Sequence, residues 1–154
     1  MSDSRLVRLE QQVEALVAEL ASLKVNSRGG WVAAPVKAKE IYVLYDTKTN
    51  GLGKTDAIRI LQIGAIALDV SGAELGTFNR FVNPLAKIDP SATAVNGIDP
   101  DFVTKLAAWD VVGADFNKWL ESLRVNESLC LCAHNGKRFD ARIMAFEHAR
   151  HNLP

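Results

Sequence analysis

Two apolar runs rich in β-branched residues, separated by a polar turn that contains glycine, constrain the fold of this chain most strongly. The first run, Ile41–Tyr45, is followed by Asp46, and the second, Ile58–Leu68, is followed by Asp69. Apolar runs bounded by turn residues are typical of buried strands. The sequence therefore predicts two strands, with Asp46 at the end of the first. In α/β proteins that position often holds a metal or a polar ligand.

The sequence patterns in the rest of the globular part predict a mixture of strands and helices. The predicted elements are a strand over 76–83, a short helix from Ser91, a helical turn at 101–105, a helix over 114–123, a strand over 128–133 and a helix over 140–151. In the last helix we expect four apolar side chains to face inward, namely Ile143, Met144, Phe146 and Ala149. Three antiparallel strands, then a crossover helix that delivers a parallel strand, make a mixed sheet.

Residues 5–25 have a strict heptad seam, in which Leu6, Val13 and Leu20 hold one position and Leu9, Leu16 and Leu23 the other. This narrow stripe favours a short coiled coil between chains, whereas a helix that packs on its own domain usually has a wider apolar face. The sequence thus predicts a homo-oligomer through this helix and leaves dimer, trimer and tetramer open. Glycine and proline then mark a linker. The predicted domains are 1–25 coiled coil, 26–39 linker and 40–154 globular domain.

Charge and cysteine usage exclude several classes of protein. Lys plus Arg and Asp plus Glu are 18 each, so no basic footprint indicates nucleic-acid binding. Cys130 and Cys132 have too few companions for a familiar metal site and are interpreted as small core residues. The low cysteine count predicts an intracellular protein, cytoplasmic or nuclear rather than secreted. No apolar run reaches membrane-spanning length, so no membrane partner is expected.

Three motifs in order resemble the DEDDh-type 3′–5′ exonucleases of the ribonuclease H-like superfamily. Residues 46–52 and 61–65 match the family's Asp-x-Glu-Thr-x-Gly-Leu and the strand after it, except that Lys48 replaces the Glu. Residues 91–98 match the second motif, with Asn96 where the family often has His. Residues 133–140, AHNGKRFD, match the third, and their spacing is similar to that of the TREX-like subgroup. The resemblance implies a ribonuclease H-like mixed sheet, preceded here by the coiled-coil helix.

The resemblance also implies a chemistry, in which four carboxylates hold two Mg²⁺ or Mn²⁺ ions that hydrolyse a phosphodiester. Asp46 and Asp140 match two of the four as catalytic and metal-binding remnants. The last family motif, His followed by Asp, has no counterpart before Pro154, so the C-terminal part of the family domain is expected to be absent. Lys48 is expected to pair with Asp46 and Asp140, and the alternative is a side chain turned to solvent. No cofactor is therefore expected, or Mg or Mn if the chain is active.

Three functions remain open from the sequence. The first is a catalytically inactive exonuclease-like domain with a structural or binding role in an oligomer or a larger protein assembly. The second is an active metal-dependent exonuclease on DNA or RNA, completed by a longer chain or by a partner. The third is a domain that still binds single-stranded nucleic acid. A phosphate-binding loop at Gly51–Thr55 is not expected, because Lys48 stands where that motif needs glycine and a strand follows the loop.

The heptad seam generates the first testable prediction. Sedimentation equilibrium at tens of micromolar should give a larger mass per assembly for the full chain than for a version that starts at Trp31, because only the full chain contains the seam. If both proteins sediment as monomers, the predicted coiled coil is wrong.

Overall fold

In the computed structural model, residues 40–154 are described apart from residues 55, 125–127 and 135–138. The expected coiled coil, the linker and part of the third motif lie outside the described residues and stay predictions. Within the described ranges, no helix combines the length and the apolar character needed to cross a bilayer.

The described strands form one four-stranded mixed sheet in the order β3-β2-β1-β4. Its strands are β1 Glu40–Thr49, β2 Ile60–Leu68, β3 Glu74–Phe81 and β4 Ser128–Cys132. The first three pair antiparallel, and β4 pairs parallel to β1. The predicted meander and crossover are therefore confirmed. The loop after β1 leads to a strand, as the argument against a phosphate-binding loop expects.

The first strand continues beyond the acid at which it was expected to end. The antiparallel ladder with β2 runs on to Thr49, with an irregularity between Lys48 and Thr49. On the other edge, β4 follows β1 only from Glu40 to Leu44. The longer ladder, with β2, sets the length of β1. Asp46 therefore lies inside β1, in the part of the strand that β4 no longer borders.

Four helices are described: α1 Pro90–Asn96, α2 Pro100–Val103, α3 Trp109–Leu123 and α4 Asp140–Arg150. The start of α1 is fixed by Asp89, whose Oδ1 accepts hydrogen bonds from the backbone N (2.8 Å) and the Oγ (2.7 Å) of Ser91. Gly97 ends α1 with a positive φ of 61°. Helix α3 begins five residues before the predicted start, because Trp109 and Val112 are buried and extend its apolar stripe.

Helices α3 and α4 bury their apolar side chains against one face of the sheet. The odd-numbered residues of β1 lie on this face, and Trp109 and Phe116 of α3 are almost completely buried against them. Burying a side chain of this size contributes about 1.5–3 kcal/mol. Cys130 and Cys132 are only half-buried on the edge strand, so their interpretation as core residues was wrong.

The inward face of α4 differs from the prediction. Phe146 is 40 % exposed and Ala149 is also exposed. The buried residues are Asp140, Ile143, Met144 and Glu147, which follow the spacing of one helical face. The prediction failed because it counted only apolar residues, whereas two acids with partners occupy this stripe.

Glu147 is buried, with its side chain 3 % exposed, among three basic side chains. Its Oε1 accepts a hydrogen bond from Arg150 Nη1 at 2.5 Å and lies 3.9 Å from Arg59 Nε, and its Oε2 lies 3.6 Å from His151 Nε2. Arg150 and Arg59 also donate to the carbonyl oxygen of Asp56, at 2.7 and 2.9 Å. The cluster therefore fastens the end of α4 to the loop before β2.

The Glu147 cluster predicts a pH-dependent stability. Burial raises the pKa of Glu147 above its ordinary 4.5, although Arg150, Arg59 and His151 act in the opposite direction. A raised native-state pKa means that the contribution of this group is complete below about pH 4.5 and is lost as the pH rises through the native value. The free energy of unfolding of the wild type minus that of Glu147→Gln should therefore fall as the pH rises above about 4.5. Urea unfolding of both proteins measures it, and a difference that rises with pH contradicts it.

Candidate functional site

The alternation of β1 sorts the residues of the first motif onto two faces of the sheet. Thr47 and Thr49 are buried on the face that carries the helices, whereas Asp46 and Lys48 are partly exposed on the other. Because the spacing is two residues, Asp46 and Lys48 must share a face, as the sequence predicts.

Asp46 and Lys48 form an ion pair, in which Lys48 Nζ donates directly to Asp46 Oδ2. Both side chains are 43 % exposed. An ion pair this accessible contributes about 0–1 kcal/mol to stability. Its consequence is chemical: a fixed positive charge is held against the carboxylate, which leaves one fewer free anionic ligand at this position.

Asp140 is buried, only 4 % exposed, and is the first residue of α4. Its Oδ1 accepts two hydrogen bonds from Thr47, from the backbone N at 3.2 Å and from Oγ1 at 2.6 Å. Beyond Leu44, β4 no longer pairs with β1, and the carboxylate takes over as the acceptor for the Thr47 amide. The start of α4 also favours a negative charge, because the helix dipole is positive there.

The two acids singled out in the sequence therefore come to the same end of the sheet but make separate contacts. Asp46 pairs with Lys48, and Asp140 binds Thr47, the residue next to Asp46. The expected pairing with Lys48 is made by Asp46, and no ion pair between Lys48 and Asp140 is found among the described residues. The contact of Thr47 with Asp140 is not predicted from the sequence. Its signal was a hydroxyl on the buried face of a strand, which needs a hydrogen-bond partner.

Asn96, at the position where the family often has His, makes a structural contact. Its Nδ2 donates to the carbonyl oxygen of Thr49 at 3.0 Å. Its Oδ1 is buried and has no hydrogen-bond partner among the described residues. The backbone of Asp89, just before α1, also donates to the carbonyl of Asn50 at 2.9 Å. These bonds fix α1 against the end of β1.

The donor set does not converge as a metal site does. Among the residues that the structure describes, no three His, Cys, Asp or Glu side chains are grouped so that they could hold a metal ion. Asp46 is engaged by an ammonium group and Asp140 by two hydrogen-bond donors. These contacts engage one oxygen of each carboxylate, Oδ2 of Asp46 and Oδ1 of Asp140.

A mainly apolar groove of about 760 Å³ lies between β4 and α4. It is bordered by Tyr45, Leu131, Met144 and His148, among other residues, but not by Asp46, Lys48 or Asp140. Burial, and then the nearby charge of Asp140, raises the pKa of the Tyr45 phenol. The groove is therefore separate from the acidic residues.

The chain is similar to known nucleic-acid-processing proteins in sequence. The family model RNase_T, described as Exonuclease, matches residues 43–153. A "DNA polymerase III subunit epsilon-like protein" of Rhodobacter capsulatus is 35% identical over 99 residues, which are 63% of this chain and 13% of that protein. A "DNA polymerase III PolC-type" of Lactococcus lactis is 29% identical over 113 residues, 73% of this chain and 6% of that protein. The chain thus spans only a small part of these curated relatives.

A similar fold is found among solved structures. Exonuclease I of E. coli in complex with a dT13 oligonucleotide superimposes with a TM-score of 0.62 at 20% identity, over 75% of this chain and 25% of that one. At this identity the likeness concerns the fold.

The contact between Thr47 and Asp140 generates a stability prediction. Thr47→Val keeps the shape of the side chain but removes the hydroxyl donor to a buried carboxylate, which should cost about 1.5–3 kcal/mol of unfolding free energy. Thr47→Ser keeps the donor and loses one methyl group, worth about 0.8 kcal/mol. Urea unfolding compares the two variants, and a serine variant at least as destabilised as the valine variant would refute the contribution of this bond.

Proposed function

Since this chain belongs to the RNase_T exonuclease family, we propose that residues 40–154 form an exonuclease-like domain that does not hydrolyse nucleic acid as it stands. Its role is then structural or in binding. The observation that carries the proposal is the ion pair of Lys48 with Asp46. The match to the family model confirms the resemblance to the DEDDh-type exonucleases. Assignment to the TREX-like subgroup stays a prediction.

The residues present do not fit the two-metal site that the family implies. A unit positive charge about 4 Å from a divalent ion is repelled by several kcal/mol even at an effective dielectric constant of about 20. Lys48 would exert this repulsion where the family has a carboxylate ligand. Lys48 also holds one oxygen of Asp46, and Thr47 holds one oxygen of Asp140.

Lys48 supplies a positive charge next to Asp46, as a bound cation would. Its ammonium group lies directly against the Asp46 carboxylate. The strand that carries Asp46 is therefore compatible with a metal-free state. This supports a domain that keeps the exonuclease fold as a scaffold or a binding surface.

The alternative is an active metal-dependent 3′–5′ exonuclease on DNA or RNA, with Mg²⁺ or Mn²⁺, completed by a longer chain or a partner. The names of the curated relatives favour it, since both names refer to DNA polymerase III. Single-stranded nucleic acid is the corresponding candidate partner, because the similar Exonuclease I holds an oligonucleotide. A homo-oligomer through residues 5–25, a larger protein assembly and an intracellular location complete the proposal.

A charge-reversal series at position 48 tests the proposal by metal binding. Mn²⁺ titration followed by electron paramagnetic resonance should give at least a tenfold tighter Kd for Lys48→Glu than for the wild type, because an added ligand replaces a repelling charge. Lys48→Met should lie between the two. Lys118→Glu, an equal charge change at an exposed position of α3, should match the wild type. Tight Mn²⁺ binding by the wild type would overturn the proposal.

A nuclease assay decides between the proposal and its alternative. The wild type should release no nucleotides from labelled single-stranded DNA or RNA in millimolar Mn²⁺. Release by the wild type that is lost in both Asp46→Ala and Asp140→Ala would establish the active enzyme instead.

A further inference from the structure

Both cysteines of the chain lie on the edge strand β4 and face the same side of the sheet. Cys130 and Cys132 are two residues apart, and their Sγ atoms are 3.7 Å from each other. Leu129, on the alternate face, packs against the core that the helices cover. The two thiols are half-buried. Strand alternation places them on the face opposite to Leu129, and Cys132 also borders the groove between β4 and α4.

The separation of the two sulfur atoms matches the bite of a tetrahedral metal centre. Thiolates bind Zn²⁺ at about 2.3 Å, and two such ligands at the tetrahedral angle are about 3.8 Å apart. An intrachain disulfide fits this strand less well, because residues i and i+2 of a strand are about 6.6 Å apart at Cα, near the upper limit for a disulfide. Chelation therefore needs no change in β4, whereas oxidation would bend it.

The neighbouring strand β1 places a phenol and a carboxylate beside the thiols. Tyr42 pairs with Cys130 in the parallel ladder, and Leu44 pairs with Cys132. The Tyr42 hydroxyl donates to Glu40 Oε2 at 3.3 Å. A carboxylate and a phenol thus lie next to the thiols on β1, an environment that favours a bound cation over two uncompensated thiolates.

We propose that Cys130 and Cys132 chelate one thiophilic d¹⁰ cation of the Zn²⁺ and Cd²⁺ class. Each thiol releases one proton to solvent as its sulfur binds the metal, and no electrons are transferred. No third His, Cys, Asp or Glu joins the two sulfurs within the described residues. Water or a small solute therefore fills the remaining positions, and the site is open and exchangeable. This inference does not depend on the proposed function.

Titration of the reduced full-length protein with Cd²⁺ tests the site, with the ultraviolet thiolate-to-metal charge-transfer band as the readout. The band should saturate at one Cd²⁺ per chain, with the release of about two protons for each metal ion bound. Cys130→Ser and Cys132→Ser should each weaken binding at least tenfold. Urea unfolding of the serine variants shows whether they fold like the wild type.

His134→Ala is the matched control, because His134 follows Cys132 by two residues but lies in a turn after the end of β4. This variant should bind Cd²⁺ like the wild type. The proposal is overturned if the charge-transfer band does not form, if it persists in the double serine variant, or if His134→Ala abolishes it.

Discussion

The hydrogen bonds between Asp140 and Thr47 connect the start of α4 to strand β1, and the arrangement of the other elements depends on this contact. Strand β1 needs an acceptor for the Thr47 amide where β4 no longer pairs with it, and the first residue of α4 provides one. A buried carboxylate is tolerated there because it accepts two hydrogen bonds and lies at the positive end of a helix. The same contact brings α4 onto the sheet, next to the strand that carries Asp46 and Lys48.

The two acids at this end of the sheet rely on different partners. Asp140 is buried and bound by Thr47, so its role in packing does not require a metal ion. Asp46 is partly exposed and paired with Lys48, so its charge is balanced within the strand. The packing contacts of Asp140 are therefore independent of the ion pair that Asp46 makes.

Features of the fold that depend on periodicity can be predicted from the sequence. The burial of a polar side chain cannot, where its partners come from distant parts of the chain. The strand order and the shared face of Asp46 and Lys48 follow from alternation and motif order alone. The burial of Glu147 depends on Arg59, 88 positions earlier in the chain, so a count of apolar residues placed Phe146 inward instead. The roles of Thr47 and of the β1 residues beyond Asp46 depend on where β4 stops, and no local pattern encodes that.

The anchoring of α4 has a consequence for the order of folding. At its start, Asp140 bonds to a residue 93 positions earlier, and at its end Arg150 bonds to one 94 positions earlier. Closing loops of this length costs chain entropy before the contacts form, and contacts distant in sequence slow folding. The antiparallel meander of β1, β2 and β3 closes much shorter loops. We therefore expect the meander to form first and α4 to dock late, as the element that completes the cooperative unit.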